Sequence, residues 1–251
     1  MNKLLEFGLS YKYSAMYLTS KTYVKPDMKI SDIVRENPSI LLVLEHFGID
    51  DLLQDKTVSR LCSEYDIEEP LFIVICNLYN GFNVGDTAQL KPSSIPLIIT
   101  YLNNSHHYYI HEKYPEITDY IKKLSASGQI KEMKLVEDFF NEYFEEVMEH
   151  LNYEGEIAFP YISGLFEKKQ NSSTEKFSAT HYKNHHSDIE SKLEDLKNLL
   201  LQHIRIKNQG IVKRKLLYSL FELEFDLKIH SLIEEQILIP LALSIENKST
   251  K

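Results

Sequence analysis

The segment HLNYEGEIAFP (residues 150–160) returns 80 residues later as HSLIEEQILIP (residues 230–240). The two share His150 with His230, Glu154 with Glu234 and Pro160 with Pro240. A histidine and a carboxylate at i and i+4 lie on one face of a helix. One such pair is weak evidence. Two pairs at identical spacing, one period apart, point to a duplicated metal half-site. A lone histidine fits the same period, since His107 and His186 lie 79 residues apart. Four histidines and two glutamates then come from four helical segments. That is a ligand set for two metal ions inside a four-helix bundle.

Working outward, the chain reads as all-α. It has only eight glycines in 251 residues and few alternating patterns. Long helices are expected over Ile95 to Leu124, Ile130 to Phe159, His185 to Ile206 and Val212 to Ile245. Pro115 should kink or interrupt the first, and Gly210 should break the third. The polar stretch 167–184 reads as a mobile connection between two related hairpins. Paired about a pseudo-twofold axis, they form an up-down four-helix bundle over residues 94–247 and bring the metal-bearing segments to one level. Ahead of the bundle, residues 28–82 read as a small helical domain. There Ser31 N-caps SDIVREN, Pro38 stops that helix, and a second helix from Pro38 to Phe47 ends at Gly48. Thr57 caps VSRLCSEY, and a helix over residues 68–80 closes at Gly81. Residues 1–27 read as a loosely ordered lead-in, and residues 82–93 as a linker.

Composition excludes several function classes. A net charge of −9 argues against a nucleic-acid groove, which needs a basic face. The two cysteines, Cys62 and Cys76, fall in apolar helical patterns and read as buried thiols. The absence of a disulfide framework suits a reducing cytoplasm. The N-terminal stretch lacks the features of a signal peptide, and no run approaches the ~20 apolar residues of a membrane helix.

Imidazole and carboxylate together suit iron, and also manganese or zinc. A carboxylate has two oxygens, so Glu154 and Glu234 can each bridge two ions. A bridging oxo or hydroxo group would still leave room for an exogenous ligand. Cysteine ligands are missing, which disfavours structural zinc and iron–sulfur clusters. The ferritin-like arrangement uses Glu-x-x-His, so the His-x3-Glu order here points away from it. His106 and His111 compete with His107, and His185 competes with His186. The repeat favours His107 and His186.

These residues resemble those of hemerythrin-like proteins, and more closely the repair-of-iron-centres (RIC, or YtfE/ScdA-type) di-iron proteins. That family has two H-x-x-x-E segments, each followed by an aromatic or aliphatic residue and a proline, as in HLNYEGEIAFP and HSLIEEQILIP. Its other two bundle helices each give one histidine, which falls on His107 and His186. The resemblance implies a hemerythrin-like bundle and a non-haem centre of two iron ions, oxo-bridged, held by His107, His150, Glu154, His186, His230 and Glu234. It extends to a small N-terminal domain, matched by KISDIVRENPSILLVLEHFGID. There the family carries a vicinal cysteine pair, whereas this chain has Leu52-Leu53. The expected function is iron supply for, or assistance in, repair of iron–sulfur clusters damaged by nitrosative or oxidative stress, with iron–sulfur client proteins as partners. The alternatives are reversible binding or sensing of O2 or NO, and reduction of nitric oxide or peroxide at the two irons. The apolar runs of the small domain are expected to serve a homodimer. Neither nucleic acid nor membrane is an expected partner.

Overall fold

The computed structural model describes residues 21–50, 53, 55–83, 90–126, 130–167, 189–206 and 209–249. The expectations for residues 168–188, including His185 and His186, lie outside these. The chain divides into two compact units, Met1–Gln89 and Leu90–Lys251. Among the described residues there is no strand, only an isolated bridge between Lys29 and Thr57.

The first unit holds α1 (Ile30–Glu36), α2 (Ile40–His46), α3 (Val58–Glu64) and α4 (Glu69–Tyr79). Thr57 caps α3 as its position suggests, accepting from the Arg60 backbone N–H at 3.3 Å. Ser31 does not cap α1. The helix begins one residue earlier, at Ile30, behind an extended Lys29 that pairs with Thr57. Gly48 and Gly81 follow α2 and α4 with φ of 72° and 80°. In each case the next N–H reaches back to an orphan carbonyl, Ile49 to Leu44 and Phe82 to Asn77. Only a residue without Cβ takes that conformation at no steric cost. The stretch from residue 21 to 27 is fastened rather than loose. Val24 is fully buried, and its N–H donates to Asn77 Oδ1 at 2.7 Å. Asn80 Nδ2 donates to the Thr22 carbonyl. The apolar runs are largely satisfied inside the unit: Val43, Leu71, Phe72, Ile75 and Cys76 are fully buried, while Leu41 stays 52% exposed.

The described residues of the second unit form four long helices, and each contains one wide π turn. The first comprises α5 (Ile95–Tyr108), a π turn at Tyr109–Lys113 and α6 (Tyr114–Ser125). The second comprises α7 (Ile130–Tyr153), a π turn at Glu154–Ala158 and α8 (Phe159–Phe166). The third is α9 (Ile189–Asn198), ending in a π turn at Leu199–His203. The fourth comprises α10 (Gly210–Ile233), a π turn at Glu234–Leu238 and α11 (Ile239–Ser249). The packing closes in a ring, since α6 lies against α7 and α10, and α9 against the same two helices. Gly210 therefore opens the fourth helix, after the third has ended at His203.

Pro115 does not interrupt its helix. It stands two residues beyond the π turn that ends at Lys113, as Pro160 and Pro240 stand two residues beyond theirs. A proline ring collides with the carbonyl four residues back in a regular helix. One extra residue in the preceding turn offsets that carbonyl, so the helix continues.

The core stripes are regular. In α7, Met133, Val136, Phe140, Tyr143, Val147 and Leu151 are all buried at spacings of three and four. Each such buried apolar side chain is worth roughly 1.5–3 kcal/mol. The next position on that stripe is Glu154, with 0% exposure. In α10, Leu216, Leu220, Leu223 and Leu227 lead in the same way to His230 and Glu234. A further polar cluster ties the first helix to α10. Lys113 pairs with Glu116 at 2.8 Å and Glu222 at 2.9 Å, and Ser219 donates to Glu116. Lys113 is buried while both carboxylates stay partly exposed, so the cluster pairs a buried ammonium and fixes the register of the two helices.

Candidate metal centre

Three helices with described side chains converge on one carboxylate. The π turn of the second helix starts at Glu154, one helical turn after His150, and that of the fourth starts at Glu234, one turn after His230. Glu154 Oε1 lies 2.8 Å from His150 Nε2. Glu154 Oε2 lies 3.2 Å from His106 Nε2 and 3.6 Å from His230 Nε2. His230 Nε2 is also 3.4 Å from Glu234 Oε1 and 3.4 Å from His106 Nε2. Donor atoms thus gather into two groups, His106–Glu154–His230 and His150–Glu154–Glu234, each within 4.8 Å. Glu154 belongs to both and turns a different oxygen toward the histidines of each.

The surroundings are mostly apolar and aromatic. Glu154 and Glu234 are fully buried, and His106 and His230 are 7% and 4% exposed. The Phe159 ring stacks on His106 at 5.6 Å, and Tyr109 meets His230 edge-on at 5.9 Å. Buried carboxylates are costly unless paired, and two within reach of three imidazoles form a donor set that divalent cations satisfy. With nitrogen and oxygen donors alone, the set fits iron, manganese or zinc.

His107 is not part of the cluster. It is exposed, and its ring lies against His111 with centroids 4.2 Å apart. The neighbour His106 faces Glu154 instead. Successive residues turn about 100° around a helix. The buried stripe of α5 runs through Ile95, Ile98, Leu102, Ser105 and Tyr109, and His106 lies on it, whereas His107 lies a further step around. The repeat also contained this signal. His106 to His186 spans 80 residues, the interval separating His150 from His230 and Glu154 from Glu234, whereas His107 to His186 spans 79. His150, Glu154, His230 and Glu234 are brought together. Asp226, one turn before His230, is a buried neighbour that ligand-motif reasoning missed. Its counterpart one period earlier is Glu146, which is exposed and paired with Lys192.

Proton affinities follow from this packing in the metal-free chain. Burial would lower the His230 pKa, but the Glu234 and Glu154 carboxylates reverse this and raise it from 6.5 to about 10. Burial opposes charge on His150 too, and Glu154 again outweighs it, raising the pKa. For His106 burial prevails and the pKa falls. Burial pushes the Glu154 carboxyl up, but hydrogen bonds from His106, His150 and His230 hold it well below its ordinary range. The sign for stability is then set. The His230 contribution is fully present below pH 6.5 and is lost as pH rises through about 10. The Glu154 contribution is present above pH 4.5 and is lost as pH falls below it. Chelator-treated protein should therefore show a falling melting temperature from neutral pH to about pH 10, where His230 loses its proton. Calorimetry across that range checks it, and a flat alkaline limb would contradict it.

The two cysteines are buried, as expected from sequence, and neither is disulfide bonded. Burial raises the Cys62 thiol to about 12 and drives Cys76 well above its usual value. No helix among the described residues is long and apolar enough to cross a membrane.

Comparison with protein families matches residues 99–242 to the profile described as the hemerythrin HHE cation binding domain. The match includes every described member of the cluster, from His106 to Glu234. No curated protein and no solved structure matches the chain.

Proposed function

Because the chain belongs to the hemerythrin HHE cation-binding family, we propose that it holds two iron ions at the Glu154 cluster and supplies iron for repair of iron–sulfur clusters damaged by nitrosative or oxidative stress. The observation that carries the two-ion reading is Glu154 itself. It is one fully buried carboxylate with its oxygens directed at different histidines, so a single residue serves two donor groups. His106, Glu154 and His230 would hold one ion, and His150, Glu154 and Glu234 the other, with His186 as a further ligand. Iron, when bound, supplies the redox and ligand-binding chemistry. The chain's own part is to orient the imidazoles, fix the shared carboxylate, and exclude water with Phe159 and Tyr109.

The stress-repair role rests on the resemblance to RIC proteins in both the bundle motifs and the small N-terminal domain. Separate measurements test its parts. Elemental analysis and an optical spectrum of the oxidised protein test for two irons per chain. Reactivation of an iron–sulfur enzyme inactivated by nitric oxide then tests iron delivery. Two irons with no reactivation would reject the repair role and keep the centre.

A second reading is reversible capture of O2 or NO. It is favoured by the burial of both cysteines, which leaves Cys62 and Cys76 unsuited to thiolate-based iron transfer. Titration of the reduced protein with each gas distinguishes it, because a stable adduct is expected on this reading alone.

A further inference from the structure

The residues behind His230 form hydrogen bonds that the ligand motifs do not include. Ser105 Oγ lies 2.8 Å from His230 Nδ1. The same hydroxyl donates to the Leu102 carbonyl at 2.7 Å. A serine hydroxyl has one proton and two lone pairs. With its proton on Leu102, Ser105 accepts from the imidazole in the tautomer that carries a hydrogen on Nδ1, and Nε2 is the nitrogen presented to Glu154 and Glu234.

The other neighbours hold this arrangement in place. Tyr109 sits one turn beyond Ser105 and donates to Asp226 Oδ2 at 2.8 Å. The Tyr109 ring closes on the edge of His230. Asp226 lies one turn before His230 on α10, so the two contacts tie the first helix to α10 at adjacent turns. Ser105, Tyr109, Asp226 and His230 are each at most 4% exposed, which leaves little room for water to substitute for the hydroxyl.

We propose that Ser105 is the positioning residue that fixes the ring orientation and tautomer of His230, directing Nε2 to the metal. This rests on reading His230 as a ligand. Partners that hold the second nitrogen of a ligating histidine are typically worth about 10- to 100-fold in metal affinity.

The test uses the full chain with zinc(II), which is diamagnetic and suits these donors. Affinity is read by competition with a chelator, and the His230 Nδ1 proton by nitrogen-15 NMR in both metal-free and zinc-loaded protein, assigned by its absence in His230→Ala. Wild-type protein is expected to show a slowly exchanging Nδ1 proton. Ser105→Ala should lose that slow exchange and bind zinc about 10- to 100-fold more weakly. Ser105→Thr, which keeps a hydroxyl, should restore both. A retained slow proton in Ser105→Ala, or unchanged affinity, would overturn the proposal. So would a loss that Ser105→Thr fails to restore, since it would assign the effect to packing. Wild-type protein that binds no zinc would instead reject the ligand reading of His230, and the proton signal of the metal-free chain would still decide the role of Ser105.

Discussion

Glu154→Ala is expected to empty both of the proposed metal positions, whereas Glu156→Ala, two residues on and exposed, should leave the metal content of the protein unchanged. The difference lies in geometry. Glu154 is 0% exposed, and its two oxygens face His150 on one side and His106 with His230 on the other. Removing it leaves each donor group with one carboxylate fewer and turns three ligand histidines toward a void. The raised proton affinity of His230 also depends in part on this carboxylate. Glu154→Gln keeps the shape and removes the charge, so it separates loss of metal from loss of packing. Metal analysis of all three variants, with circular dichroism as a check on folding, decides the point. Full metal content in Glu154→Gln would show that the shared carboxylate is not the bridge.

His106→Ala should lose the ion assigned to the His106–Glu154–His230 group, and His107→Ala should keep both ions. The two residues are adjacent in sequence but differ in surroundings. His106 stacks on Phe159 and reaches Glu154 at 3.2 Å, while His107 is exposed against His111. On the two-ion proposal, replacing the buried His106 removes one donor of that group and leaves Glu154 Oε2 with one fewer neighbouring imidazole. Replacing an exposed histidine changes only a solvated surface, where effects on stability are usually within about 0.5 kcal/mol. Metal content measured side by side is the check. Loss of an ion in His107→Ala but not in His106→Ala would reverse the assignment.

Much of the bundle was legible because its signals are local. Spacings of three and four predict helices, and the strong stripe through Phe140, Tyr143, Val147 and Leu151 leads straight to Glu154. The His-x3-Glu pairs are equally local, since i and i+4 share a face whatever the partners. The π turns were harder to read. Proline two residues beyond Lys113, Ala158 and Leu238 marks three of the four in retrospect, yet a proline by itself signals a kink or a stop. The start of α1 was missed because the Lys29–Thr57 bridge, a pairing distant in sequence, decides it.

Sequence by itself determined the helical class and the duplicated His-x3-Glu pairs, whose members His150, Glu154, His230 and Glu234 the fold brings together. Tertiary structure decided the choice between His106 and His107, the sharing of Glu154 between two donor groups, and the enlistment of Ser105, Tyr109 and Asp226 behind His230. The reason is the range of the interaction. Residues one turn apart are neighbours by the geometry of a single helix. Which face of α5 looks inward, and which oxygen of Glu154 meets which imidazole, depends on how separate helices rotate against one another when their apolar stripes pack.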